Sequence, residues 1–139
     1  KDIYMIRSKL EGLCARWATE HITKEQMEEM EENVYLTEFH TKKGHMDQIA
    51  ELDNRFHDIL YEACNSKMLE HLLKDYHNYV LRVRKKSLAT DRASVYNNEH
   101  RLIMEAIRDK DADRAEELAN AHMIKAFQNM VESGIYQDY

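Results

Sequence analysis

In 139 residues the chain has no proline and only three glycines. The tight turns of β-rich folds draw heavily on both residues, whereas helix interiors tolerate them worst. Leu, Met, Ala, Glu and Lys are plentiful instead, which restricts the chain to helices joined by short connections. The spacing of apolar residues predicts six of them. The first covers residues 2–20, with Ile3, Ile6, Leu10, Leu13 and Trp17 at intervals of three and four. Thr23, with Gln26 at the capping-box position, opens a second helix that runs to about Thr41, and Gly44 in "TKKGH" stops it. The third runs from about Met46 to Cys64, with Ile49, Leu52, Phe56, Ile59, Leu60 and Ala63 apolar. Asn65 or Ser66 caps a fourth to about Ser87, carrying Leu69, Leu72, Leu73, Tyr76, Val80 and Val83. The fifth, about 92–109, aligns Tyr96, Ile103 and Ile107, and Asp111 caps a sixth from about 112 to 132. The expected fold is all-α: one domain over residues 1–139, an antiparallel bundle of about six helices. Its first helix is packed across the others, and a metal or ligand pocket lies inside.

A net charge of −6 disfavours contact with a phosphate backbone by this piece itself. No apolar run is long enough for a membrane span or a secretory leader. Cys14 and Cys64 lie far apart, within helical patterns. They read as buried thiols rather than a disulfide framework, which points to the cytoplasm. The chain starts on a lysine with a helical pattern already under way, so further residues are expected before it.

The chemistry concentrates in three helices. "LDNRFHDIL", 52–60, places Asp53 and His57 four apart, on the same side of the third helix. His100 falls within the apolar stripe of the fifth helix, four after Tyr96, three before Ile103 and seven before Ile107. His122 sits four after Leu118 and four before Ala126 on the sixth. Burying these groups unsatisfied costs roughly 2–7 kcal/mol each. Protein hydrogen bonds can satisfy them, or one divalent cation can satisfy all four, and the pattern alone does not choose. Three imidazoles and a carboxylate suit a transition ion, zinc or nickel foremost, with manganese, iron or cobalt in range, better than calcium. Imidazole ligates only when neutral, so affinity should fall below about pH 6. The remaining histidines, His21, His40, His45, His71 and His77, sit on polar faces or in turns and read as solvated.

Arg7, at the margin of the first helix's stripe, and Arg84, beside Val80 and Val83, could clamp a carboxylate bidentately if they point inward. As surface arginines they would bury only their stems. The "HD" step at His57–Asp58 raises a rival, a metal-dependent hydrolase. Against it, one residue is ~100° of helix rotation, which turns Asp58 away from the Asp53–His57 face. A purely structural dimerisation bundle is the third reading.

Three stretches together resemble a known family: "DNRFH" at 53–57, "LYEACNSKML" at 60–69 and "EHRLIMEAIRDKDADRAEELANAH" at 99–122. They are similar to the effector-binding (FCD) domain of GntR-family transcription regulators of the FadR subfamily. The opening "DIYMIRSKLEGLCARWA" also resembles that family's first helix, with Arg7 and Glu11 in place. The resemblance implies metal ligation by Asp53, His57, His100 and His122, and a small carboxylate effector held near the metal with Arg7 and Arg84. It further implies a homodimer, no enzymatic activity, and a six-helix, VanR-like branch. The family's N-terminal winged helix-turn-helix is not in this chain, so DNA would be reached only through that missing domain.

Overall fold

The computed structural model describes the backbone of residues 2–88 and 92–134, and their side chains apart from 82–88. The side chains of Val83 and Arg84, and residues 89–91 of the predicted connection at 88–94, therefore lie outside what is described. Six helices follow one another: α1 (Asp2–His21), α2 (Lys24–Lys43), α3 (Met46–Ala63), α4 (Lys67–Leu88), α5 (Ala93–Arg108) and α6 (Ala112–Glu132). Their ends fall where the capping chemistry puts them. Thr23 and Gln26 form the reciprocal capping box of α2, and Gly44 closes that helix in the left-handed region with φ 72°. Ser66, not Asn65, caps α4: its hydroxyl accepts the Leu69 N–H at 3.2 Å. Asn65 instead takes φ 61° in the turn. Asp111 accepts the Arg114 N–H at the start of α6.

The main core is built from the apolar faces predicted for α3, α4 and α5. Phe56, Ile59, Leu60, Leu73, Ile103 and Ile107 are all buried in it. Each such side chain contributes roughly 1.5–3 kcal/mol of transfer free energy.

α1 departs from its predicted face. It lies against α3, α4, α5 and α6, but its buried positions include Tyr4, Arg7, Ser8, Glu11, Gly12, Cys14, Ala15, Ala18 and Thr19. Leu10, Leu13 and Trp17 flank that face half-buried, and Ile6 is 49% exposed. Small residues win the inward face because α1 runs close to α6, whose own buried face is rich in alanine: Ala115, Ala119 and Ala126. The two helices are antiparallel. Tyr4 donates a hydrogen bond to Met130 Sδ, a Cβ on Gly12 would overlap Asn120, and Arg16 pairs with Glu116 and Asp113. Among the described residues no helix is long and apolar enough to cross a membrane.

Candidate metal centre

The four predicted ligands are all buried, at 3% or less exposure. α3 supplies Asp53 and His57, α5 supplies His100, and α6 supplies His122. One ring nitrogen from each of the three histidines lies within 4.8 Å of the other two. His100 Nε2 and His122 Nε2 are 3.2 Å apart, and Asp53 Oδ1 is 3.8 Å from His100 Nε2. Nitrogens bound to one zinc at about 2.0–2.1 Å lie about 3.3 Å from each other, so the His100–His122 separation matches a shared ion. The imidazole planes are held from behind: Phe56 stacks on His100 with centroids 4.0 Å apart and planes 3° from parallel. Tyr96 meets His122 edge-on at 6.0 Å.

The second nitrogen of His122 decides its tautomer. Glu99 Oε1 lies 2.8 Å from Nδ1 and, as a carboxylate, accepts the proton there. In the neutral ring Nε2 then carries a lone pair, and that atom faces His100. Such a carboxylate behind a histidine is how ligating imidazoles are commonly oriented. Glu99 also lies 3.7 Å from Lys125 Nζ at the surface. Sequence reasoning missed Glu99, since a glutamate beside His100 reads as one more solvated charge.

A second polar cluster abuts the first and corrects one expectation. His77 is not solvated but 3% exposed, and its ring centroid is 4.9 Å from that of His57. Leu73 and Val80, four before and three after it, are both buried and carry it into the core. Arg7, also buried, donates to His77 Nδ1 at 2.8 Å, to Tyr61 Oη at 3.1 Å and, through Nε, to Glu11 Oε1 at 3.0 Å. Arginine cannot accept, so His77 Nδ1 does, and the proton on Nε2 goes to Asn54 Oδ1 at 2.9 Å. Tyr61 donates to the same Glu11 oxygen. Burial alone would lower the Arg7 pKa, but Tyr61 and Glu11 beside it outweigh burial and carry it above its ordinary value. Burial pushes the Tyr61 phenol up, keeping it a donor. Arg7 thus faces inward, as a carboxylate clamp requires, with Glu11 balancing its charge. His21, His45 and His71 are exposed and His40 is half-buried.

Asp58, the second residue of the His57–Asp58 step, is half-buried and is not among the side chains gathered with His57, His100 and His122 among the described residues. Burial raises its carboxyl above the usual range.

The model of the FCD domain family matches residues 2–125. The chain belongs to the FCD family. Among curated relatives, the HTH-type transcriptional regulator YdhC of Bacillus subtilis strain 168 is 28% identical over 123 residues, 87% of this chain and 55% of that protein. The HTH-type transcriptional repressor RspR of Escherichia coli K12 is 26% identical over 121 residues, 85% of this chain and 52% of RspR. The FCD chain thus spans about half the length of the curated relatives it matches. The solved structure of Streptococcus agalactiae GntR shares the fold with a TM-score of 0.76 at 23% identity, over 89% of this chain and 55% of that one. E. coli McbR/YncC shares it with a TM-score of 0.82 at 19% identity, over 99% of this chain and 68% of that one. The curated relatives are transcription regulators, and the all-α fold is shared with both solved structures.

Proposed function

We propose that this FCD domain is the effector sensor of a cytoplasmic, homodimeric transcription regulator. In this reading Asp53, His57, His100 and His122 hold a divalent transition ion, zinc or nickel foremost. A small carboxylate metabolite then binds beside them, and an attached winged-helix domain reads the DNA. The observation that carries the reading is the His122 Nε2 lone pair, fixed by Glu99 on the other ring nitrogen and set 3.2 Å from His100 Nε2. That separation suits two nitrogens sharing one cation, or a hydrogen bond when His100 Nε2 carries its proton, and three histidines with a carboxylate are the donor set of a borderline transition ion. The ion, when bound, supplies an electrophile for a carboxylate oxygen.

The protein's own part is orientation. Phe56 and Glu99 fix imidazole planes and tautomer, and the closed core excludes competing water. Arg7 offers the positive charge a carboxylate needs, because Glu11 and Tyr61 hold its guanidinium beside His77, next to His57. An arriving carboxylate would compete with Glu11 for that guanidinium. Such competition is a differential contact by which effector and bundle geometry can be linked.

The test is elemental analysis of the purified domain together with the His100→Ala/His122→Ala variant, followed by a thermal-shift screen of small carboxylates. Near-stoichiometric metal that the variant loses, and carboxylates that stabilise the loaded domain but not the stripped one, are the expected results. A wild-type domain that takes up no transition metal at neutral pH overturns the four-ligand site. Metal uptake without any carboxylate response overturns the sensor reading alone.

A further inference from the structure

Outside the core, two further histidines meet at the turn between α2 and α3. In "FHTKKGH", 39–45, Gly44 ends α2 in the left-handed region. Its N–H donates to the Thr41 carbonyl at 3.3 Å, and the His45 N–H donates to the His40 carbonyl at 3.1 Å. This paired closure of a helix end commonly sets a hydrophobic contact between the outermost residues it joins. Here those residues are His40 and His45. The backbone therefore fixes the spacing of two imidazoles before any ligand arrives, and the left-handed φ it needs costs a glycine little.

The ring centroids lie 5.2 Å apart, and the two Nδ1 atoms face each other at 2.9 Å. Phe39 packs edge-on against the His40 ring at 5.1 Å. His45 is the N-cap residue of α3 but makes no side-chain cap hydrogen bond, so its ring is not committed to that helix. Without an ion, one Nδ1 carries a proton and donates it to the other. A divalent cation can take the place of that proton. The separation also discriminates between ions. With metal–nitrogen bonds of about 2.0–2.1 Å, tetrahedral ligands stand about 3.3 Å apart and ligands at a right angle about 2.9 Å. Right angles belong to square-planar and octahedral ions, and of these copper(II) holds nitrogen donors most tightly. His40 is half-buried and His45 exposed, which leaves the other coordination positions to water. Among the described residues no third ligand-type side chain completes a group with them. Of the neighbouring cations, Lys42 pairs with Glu38 and Lys43 lies over the Phe39 ring.

We propose that His40 and His45 form a second metal site at the surface, a two-imidazole chelate for copper(II). His45 precedes Asp53 by eight residues, about 12 Å along α3, so this site and the core cluster share a helix without sharing a ligand. A bound ion would fasten the last turn of α2 to the first turn of α3, the helix that carries Asp53 and His57.

The experiment titrates copper(II) into the native domain in the presence of equimolar zinc, followed by electron paramagnetic resonance and amide NMR. A saturable copper signal with imidazole nitrogen couplings, and amide broadening centred on residues 40–45, is the expected result. His45→Gln and His40→Gln should each weaken this binding by about tenfold or more, at least what the loss of an outer-shell partner costs a metal site. Copper uptake that both variants retain at wild-type affinity overturns the proposal. So does broadening centred on the core histidines instead, or zinc that keeps copper from the site at equal concentration. None of these readings depends on whether the core cluster takes an ion. If His40→Gln disturbs the end of α2, the exposed His45→Gln decides alone.

Discussion

Arg7 and Arg16 sit on the same helix and each pairs with carboxylates, yet they do different work. Arg7 Nε lies 3.0 Å from Glu11, with both side chains no more than 3% exposed. Arg16 Nε lies 2.8 Å from Glu116 and also reaches Asp113, with the arginine 32% and the aspartate 90% exposed. Distance alone would rank the surface pair as the stronger. Solvent reverses that ranking. Water screens the Arg16 pairs and competes for them, so they fasten α1 to α6 only weakly. Around Arg7 there is little water to replace a lost partner, so every member of that cluster depends on the others. A buried ion pair of this kind is poor evidence of stability and good evidence of a site.

The largest test of that contrast removes one buried partner. Glu11→Ala leaves an uncompensated guanidinium in the core and should lower unfolding free energy by about 3–5 kcal/mol in urea titrations. Replacing both, as Arg7→Met with Glu11→Leu, should restore most of it while abolishing any carboxylate response. A double variant as unstable as the single would mean the cluster is structural cement after all. Between the two arginines lies Gly12, where a Cβ would sit 2.1 Å from Asn120 Oδ1 and 2.5 Å from its Cγ. Gly12→Ala should therefore cost about 1–3 kcal/mol by overpacking, despite alanine's better helix propensity. Asn120→Ala in the same chain should recover the loss.

Arg16→Ala should shift the melting temperature least of the three, and half-molar salt should erase even that difference. Smallest of all is an acid effect at another exposed pair. The hydrogen bond from Arg55 holds the Glu29 carboxyl below its usual range, outweighing its slight burial. A depressed carboxyl contributes stability above its unfolded value of about 4.3 and loses it as pH falls through the lower folded value. Glu29→Gln should lower the urea midpoint slightly at neutral pH and leave it nearly unchanged at low pH, where the wild-type carboxyl is protonated, so that the acid limb flattens.

Helix ends and the faces of α3 and α5 were readable because large apolar residues fit only one side of a helix, and caps have few chemical solutions. The three histidines and Asp53 converge because they ride on those legible faces. α1 was read about one position out of phase. Periodicity weighs transfer free energy, so it favoured Ile3, Ile6 and Leu10, whereas close approach to α6 selects for small volume at Ser8, Gly12, Ala15 and Ala18. His77 was within reach of the rule that found His100, since Leu73 and Val80 flank it at helical spacing. Glu99 and Asn54 were not, because each acts on a histidine of another helix. Their roles depend on how far neighbouring helices are rotated, which no single helix encodes.

The antiparallel seating of α1 on α6, from Tyr4 at Met130 to Arg16 at Glu116, also governs time. A ribosome delivers α1 first and α6 last of the six. Until α6 emerges, the small-residue face of α1 lacks the helix it runs closest to, and the cluster has two of its three histidines. A half-made chain can neither bury Gly12 nor present His122. The three-histidine cluster is thereby completed only when all six helices are there to hold it.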